Sequence, residues 1–204
     1  MTVFSYVVAK DGGFAPNPFH AFCTLACCKP KIREAASVGD LIIGLSTRSE
    51  CVVYAMRVSE VMTFADYWHD KRFLVKRPKR LSRMAADRCG DNIYEPIGAS
   101  EYRQLPSHHS NPDGSPDFAK MQHDLGSLKV LVGGSFVYFG GSGPKLPSGL
   151  ASLRAHRGHR SRFSSDEQGL VEQWFAKVRK GVRGAPALWR DGDDSWRDGC
   201  RIDC

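Results

Sequence analysis

Apolar runs of strand length recur along this chain, and each stops at a cluster of turn-forming residues. Val3–Ala9 is apolar and β-branched, which predicts a buried strand. Leu41–Leu45 predicts a second strand and Cys51–Met62 a third; the short polar loop Thr47–Glu50 makes them a β-hairpin. Over Val53–Val58 apolar residues fall on both faces, as in the wall of a closed barrel. Lys129–Val132 and Ser135–Phe139 predict strands on either side of Gly133-Gly134. Helical signals are fewer. Pro30 suits the first turn of a helix over Pro30–Ala36, and Thr63 caps another over Phe64–His69. Phe118–Leu125 reads as a helical segment stopped by Gly126. Ser165 caps a last helix, Ser165–Lys180, with Leu170, Val171, Trp174, Phe175 and Val178 as its apolar stripe.

The connections carry the more unusual chemistry. Asp11–Phe19 combines Gly12, Gly13, Pro16 and Pro18 with two phenylalanines. The glycines open backbone angles closed to other residues, and the prolines hold Ala15 and Asn17 extended. The pattern reads either as a shaped loop, its rings packed inward, or as a rigid strand-to-helix connection. Cys89–Tyr94 is a tight turn into a short strand. Pro96–Asp117 is loop-like and holds the pair His108-His109; loops of that length within a domain are usually functional or mobile. Gly140–Pro144 has neither the spacing of a Walker loop nor that of a dinucleotide fingerprint. It predicts close backbone approach, to a ligand or to another loop.

Composition narrows the class. A chain of 204 residues, 42% hydrophobic, is expected to form one domain over 1–190 followed by a polar tail, 191–204. No apolar run approaches a membrane span and no export signal opens the chain, so a soluble cytoplasmic protein is expected. The net charge of +7 favours polyanionic partners. The runs Lys71–Arg83 and Arg154–Arg162 read as solvated basic faces or as phosphate-tracking surfaces. Seven cysteines without zinc-ribbon or zinc-finger spacing predict buried or reactive thiols rather than a metal site. Cys28, beside Lys29, is the candidate reactive thiol.

Two resemblances add to this reading. The hairpin from Val38-Gly39-Asp40 to Val58-Ser59-Glu60 resembles the central hairpin of PUA-like barrels, including the EVE and YTH branches. A longer ordered set comprises Asp11–Phe19, Cys23–Ala26, Cys28–Pro30, Gly90–Tyr94, His123-Asp124, Phe136–Gly141 and Arg157–His159. That set is similar to the second type of nucleotide-modification-associated domain, found in phage and bacteria. The resemblances imply an α+β fold: a small PUA-like β-barrel with flanking helices. They also imply involvement with modified DNA bases, beside DNA-modifying enzymes, in a modification or defence system.

The leading expectation is therefore a module that recognises a modified nucleobase in nucleic acid or as a nucleotide. A base needs an apolar plane, polar groups that read its edge, and cations for the phosphates. Phe14, Phe19, Tyr94, Tyr138 and Trp68 are candidate planes. Asp11, Asn17 and Asn92 are candidate edge readers, joined by Thr24 as a binding residue. Lys29, Arg157, His159 and Arg160 are candidate phosphate contacts. The alternative is an enzyme acting on a base or nucleotide. Its candidate nucleophile is Cys28, and Asp91, His123, Asp124 and His159 are its candidate acid–base groups. Convergence of a thiol or carboxylate with a histidine inside one cavity separates the two readings. No cofactor and no metal are expected.

Overall fold

The computed structural model describes residues 1–48, 50–155 and 158–189. Strand β1 (Val3–Val7) is followed by β2 (Cys23–Leu25), α1 (Pro30–Ala35), β3 (Leu41–Leu45), β4 (Val52–Arg57) and β5 (Glu60–Thr63). Next come α2 (Phe64–His69), a 3-10 segment Lys71–Lys76, α3 (Ala85–Arg88), β6 (Tyr94–Pro96) and β7 (Tyr102–Gln104). The chain continues through α4 (Phe118–Asp124), β8 (Lys129–Gly133), β9 (Ser135–Tyr138), β10 (His159–Arg160), α5 (Ser165–Lys177) and β11 (Gly181–Val182).

The strands form a mixed six-stranded sheet, β10-β1-β3-β4-β9-β11, an antiparallel three-stranded sheet, β2-β8-β5, and the ribbon β6-β7. No closed barrel is found among the described residues, so the expected PUA-like barrel gives way to a mixed α/β arrangement of open sheets. The apolar pattern of β4 has a different cause. β4 is central, and both faces of its sheet are covered. On one face Ile43, Val52, Ala55 and Val137 pack with Val171 and Phe175 of α5. On the other, Phe4, Tyr6, Ile42, Tyr54 and Met56 pack with Leu25, Ile32 and Leu131.

The hairpin β3–β4 pairs antiparallel as its sequence predicts. The single long strand expected over Cys51–Met62 is instead two. Val58 still exchanges hydrogen bonds with the Gly39–Asp40 turn, whereas the Ser59 amide donates to Val132 of the second sheet. The chain changes sheets between those two residues. The last helix stops at Lys177, three residues before the expected end, and its cap is Ser164 rather than Ser165. Thr63 caps α2 in a capping box with Asp66, over the range its sequence predicts.

Gly140–Pro144 makes its close approach to another loop. A Cβ at Gly140 (φ +58°) would lie 1.9 Å from the Ala185 carbonyl oxygen, so only glycine fits there. This contact, with the Gly141 amide donating to Ala185, holds the 184–189 segment against the sheet. No helix among the described residues is long and apolar enough to cross a membrane.

Candidate active site

The turn between β2 and α1 presents Cys28. Cys28 (φ 61°) and Lys29 (φ 44°) are both left-handed, a backbone conformation that costs energy for residues with a Cβ. A strained strand-to-helix turn of this kind lifts a side chain clear of its surroundings, as in the nucleophile elbows of hydrolases. Several hydrogen bonds hold it. The Cys28 amide donates to Asp124 Oδ1 at 2.7 Å, the Cys28 carbonyl accepts from Arg33 Nε at 2.9 Å, and the Lys29 carbonyl accepts from Ile32. Arg33 is fully buried and also donates to the carbonyls of Ser127, Lys129 and Asp124. It ties the turn bearing Cys28 to the end of α4, which bears Asp124.

His109 stands between them. Its Nε2 lies 3.5 Å from Cys28 Sγ and its Nδ1 lies 2.6 Å from Asp124 Oδ2. Tyr94 donates to the same carboxylate oxygen at 2.8 Å. Phe14 packs on the His109 ring, with centroids 4.7 Å apart. Burial works against a charged His109, but its hydrogen bonds to Asp124 and Cys28 outweigh burial and push its pKa up to about 9. Burial works to raise the Asp124 pKa; His109, the Cys28 amide and Tyr94 overcome it and hold the carboxyl below its ordinary value. At neutral pH the pair is thus imidazolium and carboxylate, and the ring presents an N–H to Cys28 Sγ. Thiol, imidazole and carboxylate in that order form the arrangement of nucleophile, proton carrier and orienting acid.

Cys28 and His109 open onto a cavity of about 600 Å³. Lys10, Lys29, Lys120 and His123 also line it, and no carboxylate does so among the described residues. Tyr6, Phe14 and Trp189 supply aromatic walls. Lys29 Nζ lies 4.7 Å from the centroid of the Tyr6 ring, and partial burial lowers its pKa. The rim is the Asp11–Phe19 loop clasped by the 184–189 segment. Asp11 accepts from the Tyr138 hydroxyl and, at 2.9 Å, from the Ala187 amide. Trp189 donates to the Gly12 carbonyl and stacks on Phe19.

The other candidates scatter. Asn17 is fully buried; its amide donates to the carbonyls of Gly13 and Cys89, and its oxygen accepts from Lys76 at 2.6 Å. Asn92 donates to the carbonyls of Tyr67 and Phe73. Thr24 and Tyr67 donate to Asp91, which lies in the core away from the cavity walls, its pKa raised by burial. Phe19 and Tyr138 are buried, as is Trp68, against which Arg77 stacks. His159, on β10, packs against Phe4, and Arg160 lies over Phe163. Arg157, Cys200, Cys204 and the 191–204 tail lie outside the described residues.

Cys28 and Asp124 therefore come together as candidates, but the histidine joining them is His109, not His123 or His159. The signal available was His108-His109 inside an unusually long loop. Arg33 gave none, because an arginine on a short helix is normally solvated.

Cys27 Sγ, a His109 nitrogen and an Asp124 oxygen lie within 4.8 Å of one another, close enough to suggest a metal site. The His109–Asp124 separation of 2.6 Å argues for a hydrogen bond instead. Nitrogen and oxygen ligands on one tetrahedral zinc stand about 3.3 Å apart, given bonds near ~2.0 Å. Burial also raises the Cys27 pKa well above its ordinary value, which disfavours the thiolate a metal needs.

The family model for nucleotide modification associated domain 2 matches residues 1–193. No curated protein and no solved structure matches the chain.

Proposed function

We propose that this chain, which belongs to the nucleotide modification associated domain 2 family, is an enzyme that uses Cys28 as a nucleophile on a nucleotide in a base-modification system. The observation that carries this reading is the Cys28–His109–Asp124 line, whose thiol and imidazole face one cavity with the carboxylate buried behind them. A recognition module needs the cavity and its aromatic walls, but it does not need a thiol in line with an imidazole and a buried carboxylate.

The chemistry follows from the geometry. In the thiolate–imidazolium form of the Cys28–His109 pair, Cys28 Sγ attacks an electrophilic carbon of the base or its substituent, forming an S–C bond. The displaced group leaves with the bonding electron pair and takes the proton from His109 Nε2. His109, now neutral, accepts a proton from water, whose oxygen attacks the same carbon. The S–C bond breaks, its electron pair returns to sulfur, and the imidazolium is restored. Asp124 keeps the ring oriented and its charge balanced through both halves. Lys10, Lys29 and Lys120 offer positive charge to a phosphate or to charge that develops on the substrate. The absence of a lining carboxylate among the described residues favours an anionic ligand such as a nucleotide.

The test is turnover of modified nucleotides and oligonucleotides, followed by mass spectrometry, with wild type, Cys28→Ala and His109→Ala. The expected result is product with wild type only, with a covalent adduct on Cys28 trapped by acid quench. Modification-dependent binding without turnover, unaffected by Cys28→Ala, would instead establish the recognition role.

A further inference from the structure

A second cavity, of about 750 Å³, adjoins the one that holds Cys28. His108, Leu188 and Trp189 line both. The second cavity is also lined by Arg80, Arg88, Ser107, Ser110 and Asn111, again with no carboxylate among the described lining residues. Arg88 is anchored, its Nη1 donating to the carbonyls of Ser82 and Arg83. Arg80 is exposed, with Asp113 nearby but outside the cavity wall.

These arginines differ from most of the basic run that precedes them. Arg72 is paired with Glu60 and Asp70, and Lys76 is buried. Arg77 lies against Trp68, and Lys79 is paired with Asp87. Much of the positive charge of the run is paired with carboxylates, stacked or buried before Arg80, which reaches the cavity.

We infer that the substrate is a nucleotide held within a polynucleotide strand, its base in the Cys28 cavity and a flanking phosphate in the Arg80–Arg88 cavity. This rests on the nucleophile reading above. Two adjoining cationic cavities that share a wall suit a ligand with charge at regular intervals, because each phosphate contact adds binding independently of sequence. A base inside a duplex cannot reach a half-buried thiol, so the strand is single or the nucleotide is extruded. A nucleoside monophosphate would fill the first cavity and leave the second without a ligand.

The test is protection of Cys28 from iodoacetamide, read by peptide mass spectrometry. The probes are a single-stranded DNA octamer, the matching RNA octamer, nucleoside monophosphates and nucleoside triphosphates. An octamer is expected to protect at a concentration about tenfold or more below the monophosphates, with a steeper salt dependence. Replacing Arg80 and Arg88 by alanine should raise the protecting octamer concentration by about tenfold and move the monophosphate value by less than about twofold. Arg80→Glu alone, which leaves the Arg88 anchors in place, should act in the same direction. Comparing the DNA and RNA octamers identifies the strand. Monophosphates or triphosphates that protect as well as octamers would overturn the inference, as would octamer protection indifferent to both arginine variants. Failure of the nucleophile reading shows separately, as an unprotected Cys28 rate that does not depend on His109.

Discussion

His109 Nδ1 and Asp124 Oδ2 lie 2.6 Å apart, although they reach the site from a loop and from the end of a helix. Asp124 also accepts from the Cys28 amide and the Tyr94 hydroxyl. One carboxylate therefore orients the imidazole, fixes the left-handed turn and satisfies a buried phenol. Asp124→Asn removes the charge opposite His109. It should lower stability by about 3 kcal/mol, in the range for a broken buried pair. Urea denaturation at neutral pH checks this; a loss below about 1 kcal/mol would mean that the carboxylate is not the anchor described.

The raised pKa of His109 makes a pH-dependent contribution to stability. Its folded value is about 9 against an ordinary 6.5, so the folded state binds the proton more tightly. The contribution is fully present below pH 6.5 and is lost as pH rises through about 9. It amounts to roughly 3 kcal/mol at most, at 1.36 kcal/mol per unit. The stability margin of wild type over His109→Gln should therefore shrink between those two pH values. A margin constant across that window would contradict the ion pair.

Asn17 and Lys76 show how the cavity rim is held. Lys76 Nζ donates to Asn17 Oδ1 at 2.6 Å and to the carbonyls of Asn17 and Phe22. Burial lowers the Lys76 pKa to about 8, with Asp91 and Cys23 opposing the shift. Asn17→Ala leaves a buried ammonium and two carbonyls short of partners and should cost about 2–4 kcal/mol. Thermal or urea denaturation measures it. Unchanged stability with lost ligand affinity would restore Asn17 as an edge reader.

The close approach of Cys27, His109 and Asp124 yields a separate prediction. If their geometry is a hydrogen-bonded line, chelator should leave melting temperature and Cys28 alkylation unchanged, and native mass spectrometry should show the apoprotein mass. A chelator-dependent fall in melting temperature, reproduced by Cys27→Ala, would identify a metal centre.

Local signals carried far in this sequence. The Pro30 start and the Thr63 cap act within one helical turn, and the β3–β4 hairpin is closed by a short loop; all three sit close to where the pattern puts them. The barrel was not legible, because an apolar run on β4 is equally the mark of an open sheet covered on both faces. The site was half legible. Cys28 and Asp124 stood out as chemistry, but His109 lies 81 residues from Cys28 and the loop fold alone brings them together. Asn17 and Asn92 were visible as polar groups, but an amide serves backbone carbonyls as readily as a base edge, and only the fold decides its direction.

The central claim is most directly tested by the intrinsic reactivity of Cys28. Wild type, His109→Gln and Asp124→Asn would be treated with limiting iodoacetamide at neutral pH, and each thiol followed by peptide mapping. Cys28 should be labelled before Cys23, Cys27, Cys51 and Cys89, and either substitution should slow it by about tenfold or more. Labelling of Cys28 no faster than that of Cys51, at a rate neither substitution changes, would contradict an activated nucleophile.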